Sequence, residues 1–421
     1  MPNASAKKPA LVYLCQRLPY PPTTGERIPS FNFLRHLTTR YRVFLGTFSD
    51  QPGDAADIDA LRKMVSGLYV ATLRKPQAYL RAFPRWLAGE PISYALFRDS
   101  GLSAWLDRLD REEHPEALFV FSSNVSTYAV DHFRRPAGQE PFRFLHFCDV
   151  DSEKFAAYAQ SARGLKRLIF QIEARRVQRE EQRLTDGANA VALISQEEAA
   201  LLRSGLTRHA DRVVTLPNGV DSQRFDRRLH PTAPFAGQGA TFVFTGAMDY
   251  PPNVQAVTWF VQSVLPGIRA HIPHAQFYIV GTRPTPEVKA LESRDGVVVT
   301  GAVESTAAYM AHAQVAVAPL QVARGVQNKV LEAMAMELPV VVTSGAMTGI
   351  AAAPGEHLEL AEGADDWVKR CIALIEQPER AQRMGLAARA LVCEHYNWNA
   401  QFELLDRYMQ TSRHGAHTPT A

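Results

Sequence analysis

The chain has 421 residues, too many for one ordinary hydrophobic core and about right for two domains. Apolar residues make up 46% and charged residues 21%, the balance of a globular protein that folds in water. A formal net charge of +3 is mild for this length and argues against a nucleic-acid binder, which concentrates basic charge far more.

Residues 1–9 are polar and expected to be disordered. The run LVYLC that follows is too short for a signal-peptide core. No window reaches the roughly 20 apolar residues of a membrane span, so a cytoplasmic location is expected. The four cysteines, Cys15, Cys148, Cys371 and Cys393, form no CxxC pair or metal-type spacing and read as free thiols of a reducing compartment.

Short apolar runs then alternate with helical patterns. The first half offers ALVYLC (10–15), VFLGTF (43–48), LYVATL (68–73), ALFVFS (117–122), FRFLHFC (142–148) and AVALI (190–194). The second half offers TFVFTG (241–246), AQFYIVG (275–281), VVVT (297–300), VAVAP (315–319) and PVVVT (339–343). Most are unbroken rather than alternating, as parallel strands buried on both faces should be. Helices between them make βαβ units, so the expected fold is α/β with two doubly wound, Rossmann-like domains. Pro217, Asn218 and Gly219 stop a strand, and prolines and glycines follow to 239. The expected division is 10–216 for the first domain, 217–240 for a linker and 241–395 for the second domain. A helix over 396–410 with Trp398, Phe402, Leu405 and Met409 on one side needs an apolar surface and is a candidate to cross the domain junction. A disordered tail fills 411–421.

GVQNKVLEAMAMELPVV (325–341) carries the chemistry. It follows a strand, opens a helix near Val326 or Gln327, and ends before Pro339. Ligands bind beyond the C-terminal ends of strands in such sheets, and a helix N-terminus suits a phosphate. Lys329 and Glu332 share one helix face, so one can meet a phosphate while the other accepts from sugar hydroxyls. The same spacing also fits a solvated surface pair worth a few tenths of a kcal/mol. The apolar flanks Leu331, Ala333, Met334 and Ala335 favour burial, and buried polar groups need partners.

The segment resembles the donor-site motif of glycosyltransferase family 4, retaining enzymes of GT-B fold with two Rossmann-like domains facing a cleft. LPNGVDSQRF (216–225), FTGAMDYPPN (244–253), FYIVG (277–281) and VTGAVESTAAYMAHAQVAVAPL (299–320) resemble that family's landmarks in order. RLPYPPTTGERIPSFNFLRHL (17–37) resembles its N-terminal glycine loop, and HFCDVDSEKF (146–155) with GVQNKVLEAMAM (325–336) resembles the branch tied to exopolysaccharide clusters with exosortase (PEP-CTERM) sorting. The resemblance implies a hexosyltransferase that moves a sugar from a UDP- or GDP-linked donor to a lipid-linked exopolysaccharide precursor. The nucleotide sugar is a substrate; no cofactor and no metal is implied.

It also implies site residues. Glu332 matches the Glu that binds the ribose. The family's first motif Glu falls at Arg324, a departure. The Arg and Lys that often follow the glycine at Gly246 are absent here, so Arg324, Lys329 and Arg283 are the candidate cations for the diphosphate. Gly325 and Asn328 belong to the same motif. Gly246 and Gly281 either let backbone approach the donor or are turn glycines. Val303 marks where the family's base packs, or a core position. Gly25 matches the glycine loop, with Arg27 beside it. His146 stands near the family's catalytic His but reads better as a core residue inside its strand. Asp149 and Asp151 then fall at the strand end, to position an acceptor hydroxyl or to steady positive charge on the sugar ring, unless they only cap the next helix. Read alone, the D-x-D of 149–151 resembles the metal-binding signature of single-domain GT-A enzymes.

Basic and aromatic runs, with Lys75, Arg81, Arg85, Trp86 and Arg98 and again Arg163, Lys166, Arg167, Arg175 and Arg176, are either solvated faces or a surface for the inner membrane. Two rivals stand beside the transferase: a sugar-nucleotide epimerase of the same fold, and a non-catalytic partner subunit.

Overall fold

Every residue of ALVYLC and of ALFVF is buried, which is why these runs carry no alternation. The computed structural model describes residues 8–22, 25–50, 55–235, 239–321 and 326–411. The chain divides into two compact units: residues up to Leu216 together with those from Phe402 onward, and Pro217–Gln401.

The first unit holds seven parallel strands: β1 (Ala10–Cys15), β2 (Arg42–Ser49), β3 (Gly67–Thr72), β4 (Ala117–Phe121), β5 (Phe142–Cys148), β6 (Ala190–Leu193) and β7 (Val213–Thr215). Their order is β3-β2-β1-β4-β5-β6-β7. The second unit holds β8 (Thr241–Thr245), β9 (Gln276–Val280), β10 (Val297–Gly301), β11 (Val315–Ala318), β12 (Val340–Val342) and β13 (Glu359–Leu360), again all parallel, in the order β10-β9-β8-β11-β12-β13. In each sheet the chain winds one way, returns to the centre and winds the other way. Two switch points result, between β1 and β4 and between β8 and β11, and a doubly wound sheet opens a crevice at such points.

Helices cover both faces. Those that bear on function are α1 (Arg27–Arg40), α2 (Lys75–Leu87), α3 (Asp151–Ser161), α4 (Gly164–Gly187) and α5 (Gln196–Gly205) in the first unit, and α6 (Pro251–Trp259) and α7 (Asn328–Ala335) in the second. The terminal α8 (Trp398–Thr411) begins in the second unit and belongs to the first from Phe402. There Phe402 stacks on His36 at 4.3 Å, Asp406 pairs with His36 (3.0 Å) and Arg40 (2.7 Å), and Leu405 and Met409 are buried.

The stretch from 217, read from sequence as linker, is packed on the second unit as far as it is described, to residue 235. Phe225 lies in that unit's core. Arg389 holds the carbonyls of Phe225 and Ala335 and the Asp226 carboxylate. Gly219 is required here, because a Cβ would stand 2.4 Å from the Trp398 ring. Proline and glycine content marked a turn, and the turn is tied down by backbone bonds such as Val220 N–H to the Tyr396 carbonyl (2.6 Å).

Candidate functional site

At the switch point of the second unit, β8 runs into Gly246 and β9 runs into Gly281. A Cβ on Gly281 would stand 1.6 Å from the Gly246 carbonyl oxygen, so this glycine serves close backbone packing. A Cβ on Gly246 would meet the Asn253 amide nitrogen at 2.6 Å and Lys329 Nζ at 3.2 Å. Gly246 therefore clears the space that the lysine occupies.

Lys329 reaches across from α7. Its Nζ donates to Asn253 Oδ1 (2.6 Å) on α6 and lies 4.1 Å from the centre of the Phe244 ring. Asn253 is itself held by donating to the Ala247 carbonyl (2.9 Å). Neither contact neutralises the ammonium, and the packed surroundings push its pKa from 10.5 down to about 7. Glu332, one turn on, is pushed by burial from 4.5 up to about 7, against the smaller opposing pull of Arg224 and Lys329. Among the described residues no ion pair joins Lys329 to Glu332.

The start of α7 adds to this. Its N-cap, Gln327, makes no side-chain capping bond, and its first turn holds no acidic residue. Asn328 Oδ1 is buried with no hydrogen-bond partner. A helix N-terminus, a cation, an orphaned acceptor and a carboxyl group thus converge within five residues. Such a set can take an anion and a polyhydroxylated group side by side.

The other expected donor residues are scattered. Arg283 sits at φ +52°, exposed, with its guanidinium on Asp249 (2.5 and 3.2 Å), so its charge is already met. Val303 is half-buried against the core of the second unit. Arg324 and Gly325 lie outside the described residues.

In the first unit, β5 extends two residues past His146. His146 is fully buried, stacks on Phe121 at 5.0 Å, and points Nε2 at the Leu216 carbonyl (3.2 Å). Burial drops its pKa to about 4. This is the geometry of a neutral core histidine.

A bulge between His146 and Cys148, with Cys148 at φ +72°, re-aims the chain at Asp149. The N-cap of α3 is Val150, not Asp151 or Ser152. Asp151 instead accepts from Ser123 Oγ and lies 3.8 Å from Lys154. Two carboxylates fix this turn: Glu198 on α5 accepts from Val150 N–H (2.8 Å), and Glu181 on α4 accepts from Ser152 N–H (3.0 Å) and Oγ (2.6 Å). Gly25 is exposed with nothing within 4 Å of a built Cβ, and Arg27 opens α1 half-buried.

Sequence reasoning missed the polar set at the switch point of the first unit. Gln16, just past β1, accepts from Ser122 Oγ (3.0 Å) and Asn124 Nδ2 (3.0 Å), just past β4, and donates to Glu26 (3.2 Å). It missed Asn253 as well. Among the described residues no group of three or more His, Cys, Asp or Glu could hold a metal ion.

Residues 239–377 match the family model for glycosyl transferases group 1. No curated protein matches the chain. Among solved structures, sucrose-phosphate synthase from Thermosynechococcus elongatus superposes with a TM-score of 0.70 at 15% identity, over 97% of this chain and 100% of that one. Anabaena HepE, crystallised with UDP and glucose, superposes with a TM-score of 0.66 at 13% identity, over 95% of this chain and 99% of that one. The N-terminal domain of trehalose-6-phosphate phosphatase from Candida albicans also superposes, with a TM-score of 0.61 at 13% identity, over 97% of this chain and 98% of that one. At such identities the likeness is one of fold, and a fold does not choose a reaction. The chain has two parallel-sheet Rossmann-like domains, as GT-B glycosyltransferase structures do, and its second unit carries a segment similar to glycosyl transferases group 1.

Proposed function

We propose that the protein is a retaining glycosyltransferase that moves a sugar from a nucleoside-diphosphate donor to a lipid-linked exopolysaccharide precursor. The observation that carries the donor half is the Lys329–Asn328–Glu332 cluster at the switch point, inside the segment similar to glycosyl transferases group 1. The Anabaena neighbour's complexes with UDP and with UDP-glucose support UDP as the first nucleotide to try. GDP is the second.

Lys329 and the α7 N-terminus take the diphosphate, and Glu332 accepts from the ribose hydroxyls. In the transfer the bond from the anomeric carbon to the diphosphate breaks. The acceptor oxygen bonds to that carbon on the face the diphosphate leaves, and the acceptor proton departs with the diphosphate oxygen. Lys329 and the helix N–H groups stabilise the charge that grows on the leaving group. Asp149 and Asp151 steady the acceptor hydroxyl or the positive charge on the ring. The resemblance of HFCDVDSEKF and GVQNKVLEAMAM to the exosortase-linked branch supports an exopolysaccharide acceptor.

A panel of nucleoside diphosphates and their sugars, read by thermal stabilisation and then by transfer, tests this. A ligand at 100 times its Kd adds about 2.7 kcal/mol, easily read as a shift in Tm. Stabilisation by none of the panel overturns the donor site. Donor binding with release of free epimerised sugar nucleotide overturns the transferase in favour of an epimerase. Product with inverted anomeric configuration overturns retention. Transfer is expected to persist in excess EDTA; turnover lost to chelation and restored by Mg²⁺ or Mn²⁺ would put the diphosphate charge on a metal instead.

A further inference from the structure

The helix α2 is built inside out. Its inward residues, Ala78 and Ala82, are small and buried. Its large apolar residues face solvent: Tyr79, Leu80, Phe83 and Leu87 are 55%, 77%, 56% and 64% exposed. Positions 79, 80, 83 and 87 fall on one stripe of a helix. A surface helix of a water-soluble domain normally shows the reverse pattern, and isolated exposed apolar residues need no explanation, but four in one stripe do.

Charge says what covers the stripe. Residues 74–89 contain four basic residues and no acidic one. Arg74, Arg81 and Arg85 are exposed along the helix, Arg85 while paired with Glu90 at 3.2 Å. A second apolar and basic run lies on α4. Arg176 of α4 donates to the Trp86 carbonyl (2.5 Å) and lies over the Trp86 ring at 5.0 Å, which ties the end of α2 to the middle of α4. The first two turns of α4 expose Leu165, Leu168 and Ile169 beside exposed Arg163, Lys166 and Arg167. No acidic residue lies within 161–172. Not every basic residue of these runs is available. Arg98 is consumed by Glu90 (2.7 Å) and Asp131 (2.8 Å), and Arg176 by Trp86.

We infer that α2 and the start of α4 form a surface that lies flat on an anionic bilayer, with Leu80, Phe83 and Leu87 in the acyl boundary and the arginines among the headgroups. An interfacial helix has this composition: a large apolar face, basic flanks and no acidic residue. A protein partner or a second copy would bury the same apolar stripe, but basic residues alone around it would then meet their own kind across a symmetric contact. The inference goes beyond the transfer reaction and does not need it.

The test uses the full chain and no donor, so its outcome is separate from that of the donor site. Co-sedimentation with vesicles of phosphatidylcholine alone and of phosphatidylcholine with phosphatidylglycerol is measured at low and high salt. Binding is expected to the anionic vesicles and to weaken with salt, about fivefold for each basic residue whose attraction is screened. The variant Leu80→Ser/Phe83→Ser/Leu87→Ser changes only exposed side chains and is expected to lose binding while keeping its circular dichroism and Tm. Arg74→Glu/Arg81→Glu is expected to lose the preference for anionic lipid. No binding by the wild-type chain, or equal binding by the triple variant, overturns the surface. A dimer of wild type that the triple variant abolishes, seen by ultracentrifugation without lipid, overturns it in favour of a second copy.

Discussion

Lys329 and Glu332 sit near pH 7 for the same reason, burial of a charge, but from opposite sides, and their effects on stability have opposite signs. Between pH 4.5 and 7 the folded chain keeps a proton on Glu332 that the unfolded chain has released, so stability falls as pH rises. Between pH 7 and 10.5 the unfolded chain keeps a proton on Lys329 that the folded chain has released, so stability rises with pH. The two contributions together give the ligand-free protein a minimum near pH 7. Urea unfolding at pH 5.5, 7 and 9 checks it: Glu332→Gln should flatten the acid limb and Lys329→Met the alkaline limb. A wild-type profile with no such minimum would show both groups to be ordinarily solvated. A bound diphosphate would restore the ammonium, so binding at pH 8 should draw a proton from the buffer. Titration calorimetry in two buffers of different ionisation enthalpy reads this directly. Glu332→Ala should weaken a nucleoside diphosphate by about 1.5–3 kcal/mol, the loss of a charge-assisted hydrogen bond. Lys329 and Glu332 were legible because they share one helix. Asn253 was not, because it lies 76 residues from the lysine it holds and only the winding of the second sheet brings it there.

Elements were legible where burial leaves a mark in the sequence. Eleven of the thirteen strands stand within a residue or two of the apolar runs, since a strand covered on both faces must be apolar throughout, and the three-residue β7 was marked only by the turn that stops it. The two-residue β13 escaped, being too short to make a run. The Gln16, Ser122 and Asn124 set escaped for another reason: its members follow strands about a hundred residues apart, and only the switch in winding direction makes those strands neighbours. The turn at 149–152 shows what such placement does. Glu181 and Glu198 hold its backbone, and burial raises the Glu181 pKa to about 7. Glu181→Leu should cost about 1–3 kcal/mol by leaving the Ser152 N–H and hydroxyl unpaired. Asp149→Asn should lower kcat much more than it raises the donor KM. His146→Phe should instead lose about 1 kcal/mol of stability with its bond to Leu216 and little kcat. A silent Asp149→Asn with an inactive but folded His146→Phe would exchange their roles.

At the scale of the molecule the chain passes between its units twice, after Leu216 and after Gln401. The second unit is therefore one continuous segment, and the first is assembled from two distant ones. This has a consequence for what folds alone. Pro217–Gln401 holds a complete six-stranded sheet, its covering helices and the whole Lys329 cluster. Expressed by itself it should fold cooperatively and bind a nucleoside diphosphate. Residues up to 216 lack the last three turns of α8, which bury Leu405 and Met409 and place Phe402 on His36. Removing two buried apolar side chains of this size costs about 2–5 kcal/mol each, comparable to the whole stability of a domain. The 1–216 fragment should therefore be unfolded or molten, with near-ultraviolet circular dichroism lost, and a peptide spanning residues 398–411 added in trans should restore it. Full-chain variants separate packing from charge: Leu405→Ala should lower Tm by several degrees, whereas Asp406→Asn removes only the partly exposed pairing with Arg40 and the bond with His36 and should cost about 1 kcal/mol or less. A 1–216 fragment that is native without the peptide would mean that α8 is an accessory strap rather than part of the first core.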